Sequence, residues 1–142
     1  MILYLDSSAL VKLYVGEEGT DRVRALVLAA DTCAASAIAY AEIRAAIARR
    51  NREGSLTASE LLNVKSALLA DWYTLFVISA IEAVVTSAGD LAEQYALRGM
   101  DAIHLSSALW LAREQHDQVT FTAWDTRLVA AAAQAGLEVA GP

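Results

Sequence analysis

A chain of 142 residues is long enough for one domain with a buried core, and 56% hydrophobic residues exclude a disordered or fibrous chain. Its longest apolar runs carry polar breaks and fall far short of the roughly 20 residues that span a bilayer, so a membrane protein is excluded. A net charge of −6 and a pI of about 4.8 argue against a broad basic face for nucleic acid, although an acidic site neutralised by metal remains compatible.

The predicted elements begin with Ile2 to Leu5, an apolar run that reads as a buried strand ending at Asp6. No basic segment or cleavage site precedes it, so no signal peptide is expected. Ser7 and Ser8 are helix-capping residues, and Leu10, Leu13 and Tyr14 follow at helical spacing. Gly16 to Gly19 makes a turn, after which Thr20 caps a second helix running to about Ala30. Thr32 to Ser36 reads as a second strand. It holds the single cysteine, Cys33, whose apolar context suits an inert thiol in a reducing compartment, and a cytoplasmic location is expected.

Ala37 to about Arg52 is helical and stops at Gly54, and Thr57-Ala-Ser-Glu60 forms a capping box for the next helix. Leu75 to Ser79 is a third strand. Helices follow over Ile81 to Leu97, with a break near Gly89, and over Asp101 to about Gln115. Val119 to Thr122 is the fourth strand, Thr126 to Ala135 a helix stopped by Gly136, and Leu137 to Val139 the last strand. Alternating strands and helices without hairpins imply a mainly parallel five-stranded sheet in one three-layer α/β/α domain over residues 1–142.

Four carboxylates stand out. Asp6 directly follows the first strand and Asp125 lies just beyond the fourth, so both belong to the carboxyl edge where α/β proteins place their chemistry. Asp101 opens a helix, and taken alone it is better accounted for as a helix cap or dipole partner than as a ligand. Glu42 has Ile38, Ala39, Ala45 and Ala46 at helical neighbour spacing. A carboxylate in such a stripe needs compensation, either an arginine from elsewhere or a divalent cation. An all-oxygen set selects magnesium, with manganese as a substitute, over zinc. Such ions activate water and stabilise charge at a phosphodiester. A receiver-type or haloacid-type enzyme fits poorly, because no lysine follows Lys65.

Among the remaining polar residues, His104 lies one turn beyond Asp101 but is flanked by Ile103 and Leu105, which favours a structural role. His116 reads as surface. Lys12 is a phosphate candidate by position, and Arg44, Arg49, Arg50 and Arg52 are weaker ones. Trp72, Tyr73, Trp110 and Trp124 suit core or dimer contacts.

Leu3-Tyr4-Leu5-Asp6-Ser7-Ser8, Ala41-Glu42-Ile43, Gly99-Met100-Asp101-Ala102-Ile103-His104-Leu105 and Phe121-Thr122-Ala123-Trp124-Asp125 resemble, in order, the motif blocks of PIN-domain proteins. The short form is similar to the VapC-type ribonuclease toxins within that family. The resemblance implies strand order 3-2-1-4-5, magnesium-dependent cleavage of RNA, a homodimer and a cognate antitoxin. It makes Asp6, Glu42, Asp101 and Asp125 the catalytic, metal-ligating constellation. One departure concerns Ala123, which stands where many relatives carry a Thr or Ser, while Thr122 should face the other way. An inactive binding scaffold and a DNA nuclease of the same fold are the alternatives.

Overall fold

A computed structural model describes all 142 residues. The strands are β1 (Ile2–Leu5), β2 (Thr32–Ser36), β3 (Phe76–Ile78), β4 (Val119–Thr122) and β5 (Glu138–Ala140). The helices are α1 (Ser7–Leu10, continued by a 3₁₀ turn over Val11–Leu13), α2 (Thr20–Ala29), α3 (Ile38–Arg52), α4 (Ala58–Trp72), α5 (Glu82–Tyr95), α6 (Gly99–Gln115) and α7 (Thr126–Gln134).

All four strand pairings are parallel, and the sheet runs β3-β2-β1-β4-β5. The expected order holds. β1 is central because both its faces are apolar, which only a strand covered on both sides can use. Its pleat sends Leu3 and Leu5 towards Ile43, Ile47 and Leu68, and Ile2 and Tyr4 towards Leu105, Phe121 and Leu128. One side is therefore covered by α1 to α4 and the other by α6 and α7, with Leu91 and Tyr95 of α5 packed at its margin.

Local signals explain most element ends. The Thr57 capping box forms as expected, with Glu60 N donating to Thr57 Oγ1 at 3.1 Å and Thr57 N to Glu60 Oε1 at 3.2 Å. Gly54 and Gly136 take the left-handed backbone that ends α3 and α7. Four expectations about where elements begin need correction. Asp6, not Ser7 or Ser8, caps α1. Thr20 lies inside α2, where its hydroxyl accepts from Glu17 N at 3.0 Å. α6 begins at Gly99, so Asp101 sits within its first turn instead of opening it. The last strand is Glu138–Ala140, one residue later than the apolar pattern suggests, because Thr120 to Thr122 of β4 pair there.

α5 runs unbroken through Gly89, contrary to expectation, because buried Val84 and Ala88 anchor it before that residue and Leu91 and Tyr95 pack against the core after it. A Cβ at Gly89 meets nothing within 4 Å. Gly89→Ala should therefore raise stability by about 0.5–1 kcal/mol through helix propensity alone, a gain that urea denaturation would read.

Candidate active site

Asp6 extends the β1–β4 ladder by one bond, its N donating to Thr122 O at 3.0 Å, before its side chain turns to cap α1. Oδ1 accepts from Ala9 N at 2.9 Å, and Ser8 Oγ lies 2.7 and 2.9 Å from the two carboxylate oxygens. Ser8 Oγ also accepts from Trp124 N at 2.8 Å, which ties the Asp6 turn to the segment entering α7. With only 4% of its surface exposed, Asp6 is pushed up to about 6 by burial. His104, Ser8 and Ala9 oppose the rise, and the charge of Asp101 adds to it. The groups around this buried carboxylate do not offset its desolvation.

Glu42 does not lie in the buried stripe of α3. Ala39, Ile43 and Ile47 form that stripe, and Glu42 sits at its margin with 33% of its side chain exposed. Its protein partners are His104 and Ser7, not an arginine. His104 Nε2 lies 2.7 Å from Glu42 Oε1, and Ser7 Oγ donates to the same oxygen at 2.5 Å. Burial alone would raise this carboxyl, but the bonds from His104 and Ser7 outweigh it and hold it below the usual value.

Asp101 and Asp125 share one cation, Arg98, whose Nε is 3.3 Å from Asp101 and whose Nη2 is 3.7 Å from Asp125. Arg98 is 83% exposed, so the two pairs contribute little to stability. Asp125 is also the α7 cap, its Oδ1 accepting from Arg127 N at 2.9 Å and Leu128 N at 3.3 Å. Capping thus accounts for one oxygen of Asp125, and Oδ2 faces Arg98.

The four expected carboxylates therefore gather at one sheet edge, but no three acidic, His or Cys side chains close into a metal-binding group. Arg98 stands between Asp101 and Asp125, and His104 with Ser7 holds Glu42. The donor chemistry suits a hard divalent ion: every carboxylate offers oxygen, and the groups near Asp6 do not offset its burial.

Sequence reasoning missed Arg98 altogether, although its place three residues before Asp101 is a salt-bridge spacing. It also undervalued His104, which is buried with both ring nitrogens facing polar groups, Tyr4 on one side and Glu42 with Ser7 on the other. Lys12 is not a free phosphate contact. Its Nζ is bound by Glu17 at 2.9 Å and Glu18 O at 2.8 Å and lies 5.0 Å from the Trp124 ring. Arg50 also engages Glu17, and Arg44 bonds the Tyr40 hydroxyl. Arg49 and Arg52 remain beside Glu42, lining a shallow depression. Of the aromatic candidates, Tyr73 is exposed, while Trp72 packs edge-on against Tyr40. Thr122 is buried with its hydroxyl unpartnered, and the neighbouring Ala123 offers no hydroxyl, so this strand end gives Asp125 no support.

The sequence and the fold both have counterparts among known proteins. A ribonuclease of Mycobacterium tuberculosis, VapC49, is 37% identical over 139 residues, covering 98% of this chain and 94% of its own. FitAcB from Neisseria gonorrhoeae superposes with a TM-score of 0.66 at 20% identity, over 98% of this chain and 96% of that one. A toxin–antitoxin complex from Klebsiella pneumoniae gives 0.56 at 19% identity, over 83% of each chain. The family described as "PIN domain" matches residues 3–134. On that match and on the likeness to VapC49, the protein belongs to the PIN-domain family.

Proposed function

We propose that the protein is a magnesium-dependent endoribonuclease, the toxin of a toxin–antitoxin pair. The gathering of Asp6, Glu42, Asp101 and Asp125 at one sheet edge, around a buried carboxylate raised by desolvation, carries this reading. The ribonuclease name of VapC49 and the Klebsiella complex support it. Asp6, Glu42, Asp101 and Asp125 would hold magnesium or manganese, which when bound would activate water and stabilise charge on the phosphodiester. The protein's own part is to keep the carboxylates on rigid element ends and to offer Arg49 and Arg52 to the RNA backbone. A homodimer and a cognate antitoxin complete the proposal. No helix is long and apolar enough to cross a membrane.

Purified protein should cut RNA with magnesium or manganese, stop with EDTA and fail with zinc, with DNA digested in parallel as the competing substrate. Asp101→Asn should abolish cleavage and relieve growth arrest in a bacterial host while circular dichroism stays native. Cleavage that survives exhaustive chelation, or an equally active Asn variant, would sink the metal mechanism.

A further inference from the structure

Arg98 stands where three depressions meet, and between them these hold Glu42, Asp101 and Asp125. Its guanidinium reaches Asp101 at 3.3 Å and Asp125 at 3.7 Å, yet the side chain is 83% exposed. A long exposed side chain held by two weak pairs can leave them at small cost. Other basic residues near this edge are more firmly engaged. Lys12 and Arg50 are tied to Glu17, and Arg44 to the Tyr40 hydroxyl.

Arg127 joins Arg98, Asp101 and Asp125 in lining a depression of about 310 Å³. Its Nη2 donates to Ala96 O at 2.9 Å, and it forms no ion pair. Ala96 presents that oxygen from a left-handed backbone, φ +53°, which a residue other than glycine rarely takes. One bond thus anchors the Arg127 head at the rim and leaves most of its donors free.

Two aspartates and two arginines make this depression neutral. A divalent cation held by Asp101 and Asp125 would satisfy both carboxylates and leave both guanidiniums without a counter-charge. Guanidinium forks match the oxygens of a phosphate, which they take in bidentate pairs. We propose that Arg98 and Arg127 form a phosphate subsite for RNA, in which Arg98 leaves Asp101 and Asp125 for the RNA backbone when the divalent cation takes those carboxylates. The subsite deepens the ribonuclease reading and rests on it for its substrate. It also sets the course of the strand. One phosphate meets Arg98 and Arg127, and the depression that Arg98 shares with Glu42 and Arg49 leads on towards Arg52. Metal and RNA binding are then coupled, each favouring the other, because both act on the same arginine.

Arg98→Gln and Arg127→Gln test the subsite, with Arg113→Gln at the far end of α6 as control. Without RNA, a magnesium titration followed by thermal melting should give Arg98→Gln an affinity about two- to fivefold above wild type, because its cation no longer competes. RNA binding is read by fluorescence anisotropy of a labelled single strand, with calcium as the divalent ion to hold off cleavage. There each variant should bind about tenfold more weakly than wild type. The slope of log affinity against log salt should shrink by about 0.7 for each lost phosphate contact. In EDTA, Arg98→Gln should bind RNA as the wild type does. With magnesium, both variants should raise KM about tenfold and hold kcat within about twofold. Arg113→Gln should keep all wild-type values. An Arg98→Gln magnesium affinity no higher than that of wild type overturns the subsite. So does an equal loss of RNA binding in EDTA and calcium, wild-type binding that calcium does not strengthen, or a lower kcat at unchanged KM. If the wild type cuts no RNA yet the variants lose binding as expected, the ribonuclease reading falls alone. Cleavage by a wild type whose RNA binding both variants retain strikes the subsite alone.

Discussion

Asp6→Asn is expected to stabilise the metal-free protein by about 3 kcal/mol above pH 7, a gain largely gone by about pH 4. The folded carboxyl is pushed up to about 6 from an ordinary value of 3.8. Between those two values the folded state holds a proton that the unfolded state has released. Wild-type stability therefore falls as pH rises through this window, while the Asn variant does not titrate there. Asparagine keeps the acceptor for Ala9 N and can still bond Ser8, so the cap survives the change. Urea denaturation of both proteins in EDTA, from about pH 4 to pH 8, reads the difference directly. Magnesium should reverse the order at neutral pH, since a bound ion stabilises the state that binds it. An Asn variant that is less stable than wild type at pH 8 would mean that Ser8 and Ala9 already satisfy the charge.

Gly19→Ala should destabilise the fold by about 2–4 kcal/mol. Two independent costs meet at this residue. Its φ of +87° is strained for any side chain, and a Cβ would stand 2.4 Å from the Trp124 indole. The ring cannot simply retreat, because Lys12 Nζ lies against it and its backbone N is bonded to Ser8. Trp124 stands next to Asp125, so the same substitution should also disturb the acidic edge. Gly16→Ala, three residues earlier, meets nothing within 4 Å and serves as the control. Denaturation midpoints of the two variants decide the matter. A Gly19→Ala loss below about 1 kcal/mol would show that the indole yields freely.

Much of the fold was legible because short-range signals agree with the final packing. The all-apolar Ile2 to Leu5 run can only be a covered strand, and Thr57 with Glu60 announces α4 without ambiguity. The register of β5 was less legible, because its apolar pattern is too short to choose between adjacent frames. The acidic positions of the candidate site were readable as strand ends and helix starts. Their partners were not. The compensation of Glu42 by His104 joins α3 to α6 across 62 positions, and no periodicity within either helix encodes it. Apolar neighbours of Glu42 in sequence suggested deep burial, but Ala45 points outward and the true stripe passes one position away. Lys12 looked like a free cation because the acid that claims it, Glu17, arrives through a turn held by Gly19.

The central place of β1 also governs when this protein becomes complete during translation. Ile2 to Leu5 wait for Val119 to Thr122 before the middle of the sheet can close, and Asp6 waits for the backbone oxygen of Thr122. At roughly 5–20 residues per second, a ribosome needs several seconds or more to cover that interval. Until the last quarter of the chain has emerged, Asp6 and Glu42 are separated from Asp101 and Asp125 on a polypeptide still tethered to the machinery that makes it. A growing chain therefore carries no assembled acidic edge until Val119 to Thr122 have joined β1.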